Sequence, residues 1–259
     1  MTTPPASRLQ SEEPPAILHH EDGLLLAHKP PHWLSHPKKP GDGPTLQEWL
    51  RERLPDGPLS LINRLDRETS GLILVGTTEE AVRALGKLMM ARAIRKDYLA
   101  VVFGRMETDH GHVDAPLGRL GTEGANDIWL KRGVMPDGEP GATEFWSLAK
   151  SDTASLLRVR VHTGRTHQIR VHLAHLGHPL VGDKLYGPDD RFYVQFIEQG
   201  WTQEMERRLL LPRQALHAAR LEFPWRERSF SLVDTLPADL RRFLSAHGLE
   251  RTIDWDALG

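Results

Sequence analysis

The sequence predicts an α+β fold with a mixed, largely antiparallel central sheet flanked by helices. Two observations carry this. Strand-length apolar runs outnumber helical stretches and follow one another in hairpin-like succession, which a doubly wound fold would not show. One of them, around Leu157, Val159 and Val161, alternates with Arg158, Arg160 and His162, the period of a strand with one buried face. At 259 residues the chain can bury a sizeable core, as one domain of two lobes or as two domains.

Residues 1 to 15 are rich in proline and polar residues, and they are expected to form a mobile tail ahead of a single domain over 16–259. ILHHE and LLLAHK flank Asp22-Gly23, the signature of a hairpin, and Pro30-Pro31 must end its second strand. Leu46, Leu50 and Leu54 recur at helical spacing behind Thr45, a candidate N-cap. LILVG, from residue 72, is too short and too continuously apolar for an exposed helix and reads as a buried strand.

Thr77 and Glu80 have the spacing of a capping box for a helix through about Ile94, with Val82, Leu85, Leu88 and Met89 on its buried face. Tyr98 to Phe103 is a strand stopped by Gly104. From 110 to 160 the pattern is strands and turns: GHVDAPLG, a polar loop around 121–127, IWLKR, a turn at MPDGEPG, then ATEFWSLAK and SLLRVRV. Thr166 is a candidate cap for a helix from His167 to Leu176, ended by Gly177. Residues 187–213 hold one or two amphipathic helices with Phe192, Phe196, Trp201 and Met205; LHAARLEFPW returns as a strand, and 237–249 as a last helix.

Composition excludes several classes of function. Lys plus Arg number 33 against 35 for Asp plus Glu, so no global basic field announces a nucleic acid, and any such partner must be met by local patches. The absence of cysteine removes disulfides, thiolate metal sites and thiol nucleophiles and fits a cytoplasmic setting. No window approaches the roughly 18 apolar residues of a membrane span, and the N-terminus lacks the basic and apolar regions of a leader.

Three clusters could carry chemistry. The first is Arg64-Leu-Asp66-Arg67 with Thr69-Ser70-Gly71, an acid among arginines at the mouth of a buried strand. The second is HTGRTHQIRVH, residues 162–172, with Arg165 in a turn between strand and helix. The third is Arg95-Lys96-Asp97-Tyr98, a phenol at the start of a strand. Each has a bland reading as well: a surface ion pair for Asp66, packing for Tyr98, a solvated face for the bases. The histidines invite a metal. Yet His172, His175 and His178 spread over about 240° of helix, leaving at most a pair on one side.

Taken together, these stretches resemble the RluA-type pseudouridine synthases. Arg64 to Gly71 resembles that family's RLDRxTSG motif, and GRTHQIRVHLAHLGHPLVGDKLYG, residues 164–187, its second long motif. Lys29-Pro30, RKDYLAVVFG at 95–104, APLGR at 115–119 and ALHAARLEF extend the likeness over residues 16 to 235. Two positions depart from the pattern: Asn63 stands where the family has His, and Pro31-His32 where it has a small residue.

The resemblance implies an isomerase that converts a uridine in tRNA or rRNA into its C-glycoside, without cofactor or metal, acting as a monomer. It implies that Asp66 is the essential carboxylate, as nucleophile or base; that Arg165 pairs with it directly; and that Tyr98 stacks on the base or removes a proton. Arg64, Arg67, Thr69, Lys29 and Lys96 become candidates for binding RNA, with Lys87, Arg92, Arg95, Lys131 and Arg132 as further phosphate contacts. No S4-like domain precedes the motifs, and 187–213 is where selectivity would lie. A non-catalytic RNA-binding protein on the same fold, and a metal-dependent hydrolase built on the histidines, are the competing readings.

Overall fold

A computed structural model describes residues 11, 13–37, 43–120, 128 and 130–255. The tail expected over 1–15 and the loop expected over 121–127 lie mostly or wholly outside them. The chain divides into two compact units. The first holds the described residues of Ser7–Tyr98 together with Leu216–Pro237; the second holds those of Leu99–Ala215 and of Ala238 onward. The fold class is α+β with a mixed sheet, as the sequence predicts.

In the first unit, β1 (Ala16–Glu21) and β2 (Leu24–Lys29) form the expected antiparallel hairpin. Asp22 and Gly23 both have positive φ, 52° and 80°, which matches the twist of the two strands through a two-residue turn. Helix α1 (Leu46–Arg53) starts on Thr45, whose hydroxyl accepts from the Glu48 amide while Glu48 reaches back to it. After the short β3 (Ser60–Leu61) comes β4 (Ser70–Gly76), buried at every position.

Strand β4 runs antiparallel to β2 on one side. On the other it is parallel to β11 (Leu216–Trp225), which in turn pairs with β12 (Arg228–Val233). Burial on both faces explains the unbroken apolar sequences of β2 and β4. Leu25, Ala27, Ile73 and Val75 pack with Leu46 and Leu50 of α1. The alternate residues Leu24, Leu26, Leu72 and Leu74 pack with Leu85 of α2 (Glu79–Met90) and with Phe223.

Helix α2 corrects the expected capping box by one residue. Thr78 caps the Ala81 amide at 3.2 Å, while the Thr77 hydroxyl is bonded to His20. The helix also stops at Met90 rather than near Ile94. Arg92 takes φ 55°, and Ala93 and Arg92 bond back to Leu88 and Met89, a left-handed closure with no glycine to mark it in the sequence. Ile94 is then free to fill the core beside Leu85. Strand β5 (Arg95–Phe103) follows, three residues earlier than read, and the unit boundary falls within it.

In the second unit, β6 (His110–Asp114), β9 (Ala142–Lys150) and β10 (Ala154–Val161) form an antiparallel set in the order β10-β9-β6. Strands β7 (Leu117–Arg119) and β8 (Arg132–Val134) pair apart from it; β8 begins where the expected strand IWLKR ends. The one-sided pattern read for β10 holds at His162 but fails at Arg158. That side chain is fully buried, its guanidinium lying 5.1 Å and 5.6 Å from the rings of Trp146 and Trp255. Tryptophan faces take up the cation there.

Helix α3 (Gln168–His175) ends as read: Gly177 has φ 84°, and His178 and Gly177 bond back to Leu173 and Ala174. Its start differs. Thr166 does not cap it; His167, at φ 60°, occupies the N-cap position. Residues 187–213 form two helices, α4 (Arg191–Gln199) and α5 (Gln203–Leu209), joined through Phe192, Met205, Leu209, Phe196 and Trp201. Helix α6 (Ala238–Ala246) is tied back by a buried guanidinium, Arg213, on the carboxylate of Asp239.

Candidate active site

Asp66 lies on the loop between β3 and β4, and nearly every residue around it has a structural task. Asn63 fixes the loop's entry: its carboxamide oxygen accepts from the Leu74 amide at 2.7 Å and its nitrogen donates to the Leu72 carbonyl at 3.3 Å. An amide side chain offers donor and acceptor together, as a peptide does, so it extends the pairing of β4. Leu65 is 8% exposed in the core, and both its amide and its carbonyl bond to the Ser35 hydroxyl at 3.0 Å. Arg64 and Arg67, on either side, are exposed, while Asp66 is partly buried.

The exit is held as tightly. Thr69, 2% exposed, bonds through its amide to the Asp66 carbonyl, closing a turn over Arg67 and Glu68. Ser70 lies opposite His217 of β11 and its hydroxyl meets the imidazole Nδ1 at 3.0 Å. Gly71 has φ 116°, and a Cβ there would lie 2.3 Å from the Ala218 carbonyl oxygen, so only glycine fits. The Thr-Ser-Gly sequence is therefore the hinge by which the aspartate loop is fastened to β11.

Lys29 is fully buried, and its ammonium donates to the carbonyls of Pro30, Trp33 and Arg67 at 2.8, 2.9 and 3.2 Å. It braces the Asp66 turn from below and ties down the Pro31-His32 departure. Tyr98 is partly buried beside Leu65 and the α1 core. Burial first, and the negative charge of Asp66 second, push its phenol well above the ordinary tyrosine range. The charge of Asp66 thus acts on this phenol, and the hydroxyl stays protonated at neutral pH. Lys96, half-buried two residues before it, has its ammonium pKa lowered by desolvation and rests 3.8 Å from the Met89 sulfur.

Arg165 belongs to the second unit. Its guanidinium pairs with Glu139 and donates through Nε to the Pro140 carbonyl at 3.1 Å. Its backbone is set by Gln168, whose side chain accepts from the Arg165 amide and the Thr163 hydroxyl and donates to Ala142 and Thr143. The rest of the second long motif builds this support. Arg170 grips the buried Asp183 through two bonds of 2.7 and 2.9 Å, and Asp183 accepts the amides of Leu185 and Tyr186. The Tyr186 hydroxyl reaches His167 Nδ1 at 2.8 Å and the Arg132 amide at 2.9 Å, holding the strained His167 next to Arg165.

Several of the histidines are engaged in hydrogen bonds. His172 is bonded at Nδ1 to Thr143 and at Nε2 to the Ala115 carbonyl, His178 to Phe103, and His162 and His110 to Glu144. Among the described residues, no group of three or more His, Asp or Glu is placed to hold a metal ion. Of the further phosphate candidates, Arg95 and Lys131 face Glu222 and Asp190, while Lys87 and Arg92 are exposed. Sequence reasoning missed Ser35, which carries no motif signal, and His217, whose signal was the LHA run.

A family model described as RNA pseudouridylate synthase matches residues 23–175. An uncharacterized RNA pseudouridine synthase of Chloroflexus aurantiacus is 39% identical over 221 residues, covering 82% of this chain and 63% of that protein. A ribosomal large subunit pseudouridine synthase D of Nitrosomonas europaea is 35% identical over 243 residues, covering 90% and 65%. The chain thus spans slightly under two thirds of these curated relatives. A solved structure, human RNA pseudouridylate synthase domain containing 1, superposes with a TM-score of 0.68 at 25% identity, over 95% of this chain and 99% of that one.

Proposed function

The chain belongs to the RNA pseudouridylate synthase family, and on that premise we propose that it isomerises a uridine within an RNA stem-loop to pseudouridine. The observation that supports this most directly is Asp66 itself, a carboxylate on a loop fastened at both ends, whose charge acts on the protonated phenol of Tyr98 in the same unit. The N1–C1′ bond breaks, the base turns, C5 joins C1′, the proton on C5 leaves and N1 gains one. Both ways of starting at the ribose, attack on C1′ or removal of a sugar proton, need Asp66 ionised.

Arg165 supplies the compensating charge in the reactive complex. Its present partner Glu139 is 64% exposed at the side chain, and such surface pairs are worth only about 0–1 kcal/mol, so releasing the guanidinium from Glu139 costs little. Tyr98 stacks on the flipped uracil and orients it. With its proton held on, it does not serve as a base in the phenolate form. Arg64 and Arg67 meet the RNA from the exposed side of the loop, and Lys96 meets phosphate. Lys29 and Thr69, buried and bonded to the backbone, act on the RNA only by holding the turn.

The substrate class we favour is a large-subunit ribosomal RNA stem-loop, since the Nitrosomonas relative is named for that particle. A chain without cysteine acting on such RNA fits the cytoplasm. Two measurements test the reading. Mapping pseudouridine in total RNA from cells with and without the protein identifies the uridine; a transfer RNA position would change the substrate, and no lost position would remove the reading. Asp66→Asn should bind RNA with near wild-type affinity and form no product, whereas an RNA-binding protein without catalysis predicts no product from either form.

A further inference from the structure

Beneath the aspartate loop lies a buried polar chain that the reaction as described does not use. Asp234, just past β12, is 7% exposed; His28 of β2 is 6% exposed, and His217 of β11 and Ser70 of β4 are fully buried. One oxygen of Asp234 accepts from His28 Nδ1 and lies 3.8 Å from His217 Nε2. His217 Nδ1 meets the Ser70 hydroxyl at 3.0 Å. The four residues come from the three adjacent strands β2, β4 and β11 and the segment after β12, all within the first unit.

Isolated carboxylates and imidazoles are costly in an apolar core, and such groups are held where they specify a geometry. Here the geometry is local. Ser70 and Gly71 are the first residues of β4; His217 and Ala218 face them on one side, and Lys29 faces Gly71 on the other. Thr69, the next residue back, bonds to the Asp66 carbonyl. His28 is bonded to Asp234 through Nδ1, while the Nε2 atom of His28 is buried with no hydrogen-bond partner among the described residues. Asp234 itself is pinned by its amide to the Ala219 carbonyl at 2.8 Å. An anchored carboxylate thus holds one imidazole, His28, through a hydrogen bond and faces a second, His217, across 3.8 Å, and His217 in turn is bonded to Ser70.

We infer that Asp234, His217 and Ser70 are positioning residues for the isomerisation, acting in series to set the turn that aims Asp66 at the ribose. The inference rests on the isomerase reading of Asp66. Misplacement of a reacting group by about 1 Å can cost on the order of 100-fold in rate, so a clamp on this turn has large leverage.

The test is a double-mutant cycle on single-turnover pseudouridine formation with Ser70→Ala, His217→Gln and the pair. Ser70→Ala removes one oxygen and keeps the strand, so it remains informative where His217→Gln folds poorly. Each single variant should slow the step about tenfold with RNA affinity within about twofold, and the double variant should be no slower than the slower single one, because neighbours in one bonded chain are not additive. Losses that multiply, a loss confined to RNA affinity, or an unchanged rate in folded Ser70→Ala would overturn the inference.

Amide exchange across residues 62–69 is read on the same proteins and should quicken in Ser70→Ala while the rest of β4 stays protected; unchanged exchange also counts against the clamp. Wild-type protein that forms no pseudouridine in any RNA removes the isomerase reading alone. The exchange measurement then decides whether the chain holds the turn.

Discussion

The buried ammonium of Lys29 donates to the carbonyl of Arg67 at 3.2 Å, so the end of β2 is tied directly to the turn that carries Asp66. Its two other carbonyl partners, Pro30 and Trp33, belong to the segment that follows β2. A cation engaged with these backbone carbonyls organises the backbone around the turn. Lys29→Met removes the charge at similar volume and strands the carbonyls, at about 2 to 4 kcal/mol of stability. Thermal melts should show that loss. Filter binding should show RNA affinity within about threefold of wild type, and single-turnover assays a slower step, by about tenfold or more. Loss of RNA affinity with the rate intact would return Lys29 to the RNA contacts.

The pairing of Arg165 with Glu139 leads to a prediction of opposite sign. If Glu139 competes with the RNA for the guanidinium, Glu139→Gln should speed the reaction or tighten RNA by about twofold to fivefold, the worth of one surface ion pair. Arg165→Lys keeps the charge but loses the planar fork that serves two acceptors at once, and it should slow the step strongly. The ratio of the two effects in kcat separates competition from a purely structural contact. Equal slowing in both variants would assign Glu139 to holding Arg165 in place.

How much of this was legible in the sequence depends on the kind of signal. The β1-β2 hairpin and the Thr45 cap of α1 were, because an Asp-Gly turn and an N-cap hydroxyl act through local bonds alone. The stop of α2 was not: Arg92 takes a left-handed conformation that glycine usually announces. Arg158 misled for a different reason. Alternation assigns charged residues to solvent, but Trp146 and the distant Trp255 make a buried place for this one. At the site, the motif residues were visible as a group and their division of labour was not. Whether Lys29 or Thr69 faces RNA or backbone depends on which carbonyls the fold brings within reach, and nothing in a linear string encodes that.

Tyr98 separates two roles by pH. Burial and the adjacent Asp66 hold its phenol protonated well past the usual range, so the phenolate is negligible at neutral pH. A phenolate base would give a rate rising tenfold per pH unit, whereas a stacking ring gives a flat profile from pH 7 to 9. Tyr98→Phe should retain activity to within about tenfold, and Tyr98→Ala, which removes the stacking surface, should lose about 1 to 3 kcal/mol of base binding. A steep alkaline rise in wild type that disappears in Tyr98→Phe would assign proton removal to the hydroxyl.

Asp183 gives the acid limit of the second unit. Burial alone would raise its pKa, but the charge and paired bonds of Arg170, with the amides of Tyr186 and Leu185, outweigh it and hold the carboxyl below the usual range. A depressed folded-state value means that the unfolded chain takes up the proton first. The stability this pair contributes is therefore fully present above about pH 4, where the unfolded aspartate is ionised, and is lost as pH falls through the lower folded-state value. Asp183→Asn leaves the Arg170 cation buried without its counter-charge, at a cost of about 3–5 kcal/mol at pH 7. Denaturant melts from pH 7 down to pH 3 should show wild type and variant converging toward the acid end. Parallel curves would mean that the pair contributes no charge-dependent stability. Convergence would locate in Arg170 and Asp183 the brace that keeps Tyr186, His167 and so Arg165 in place.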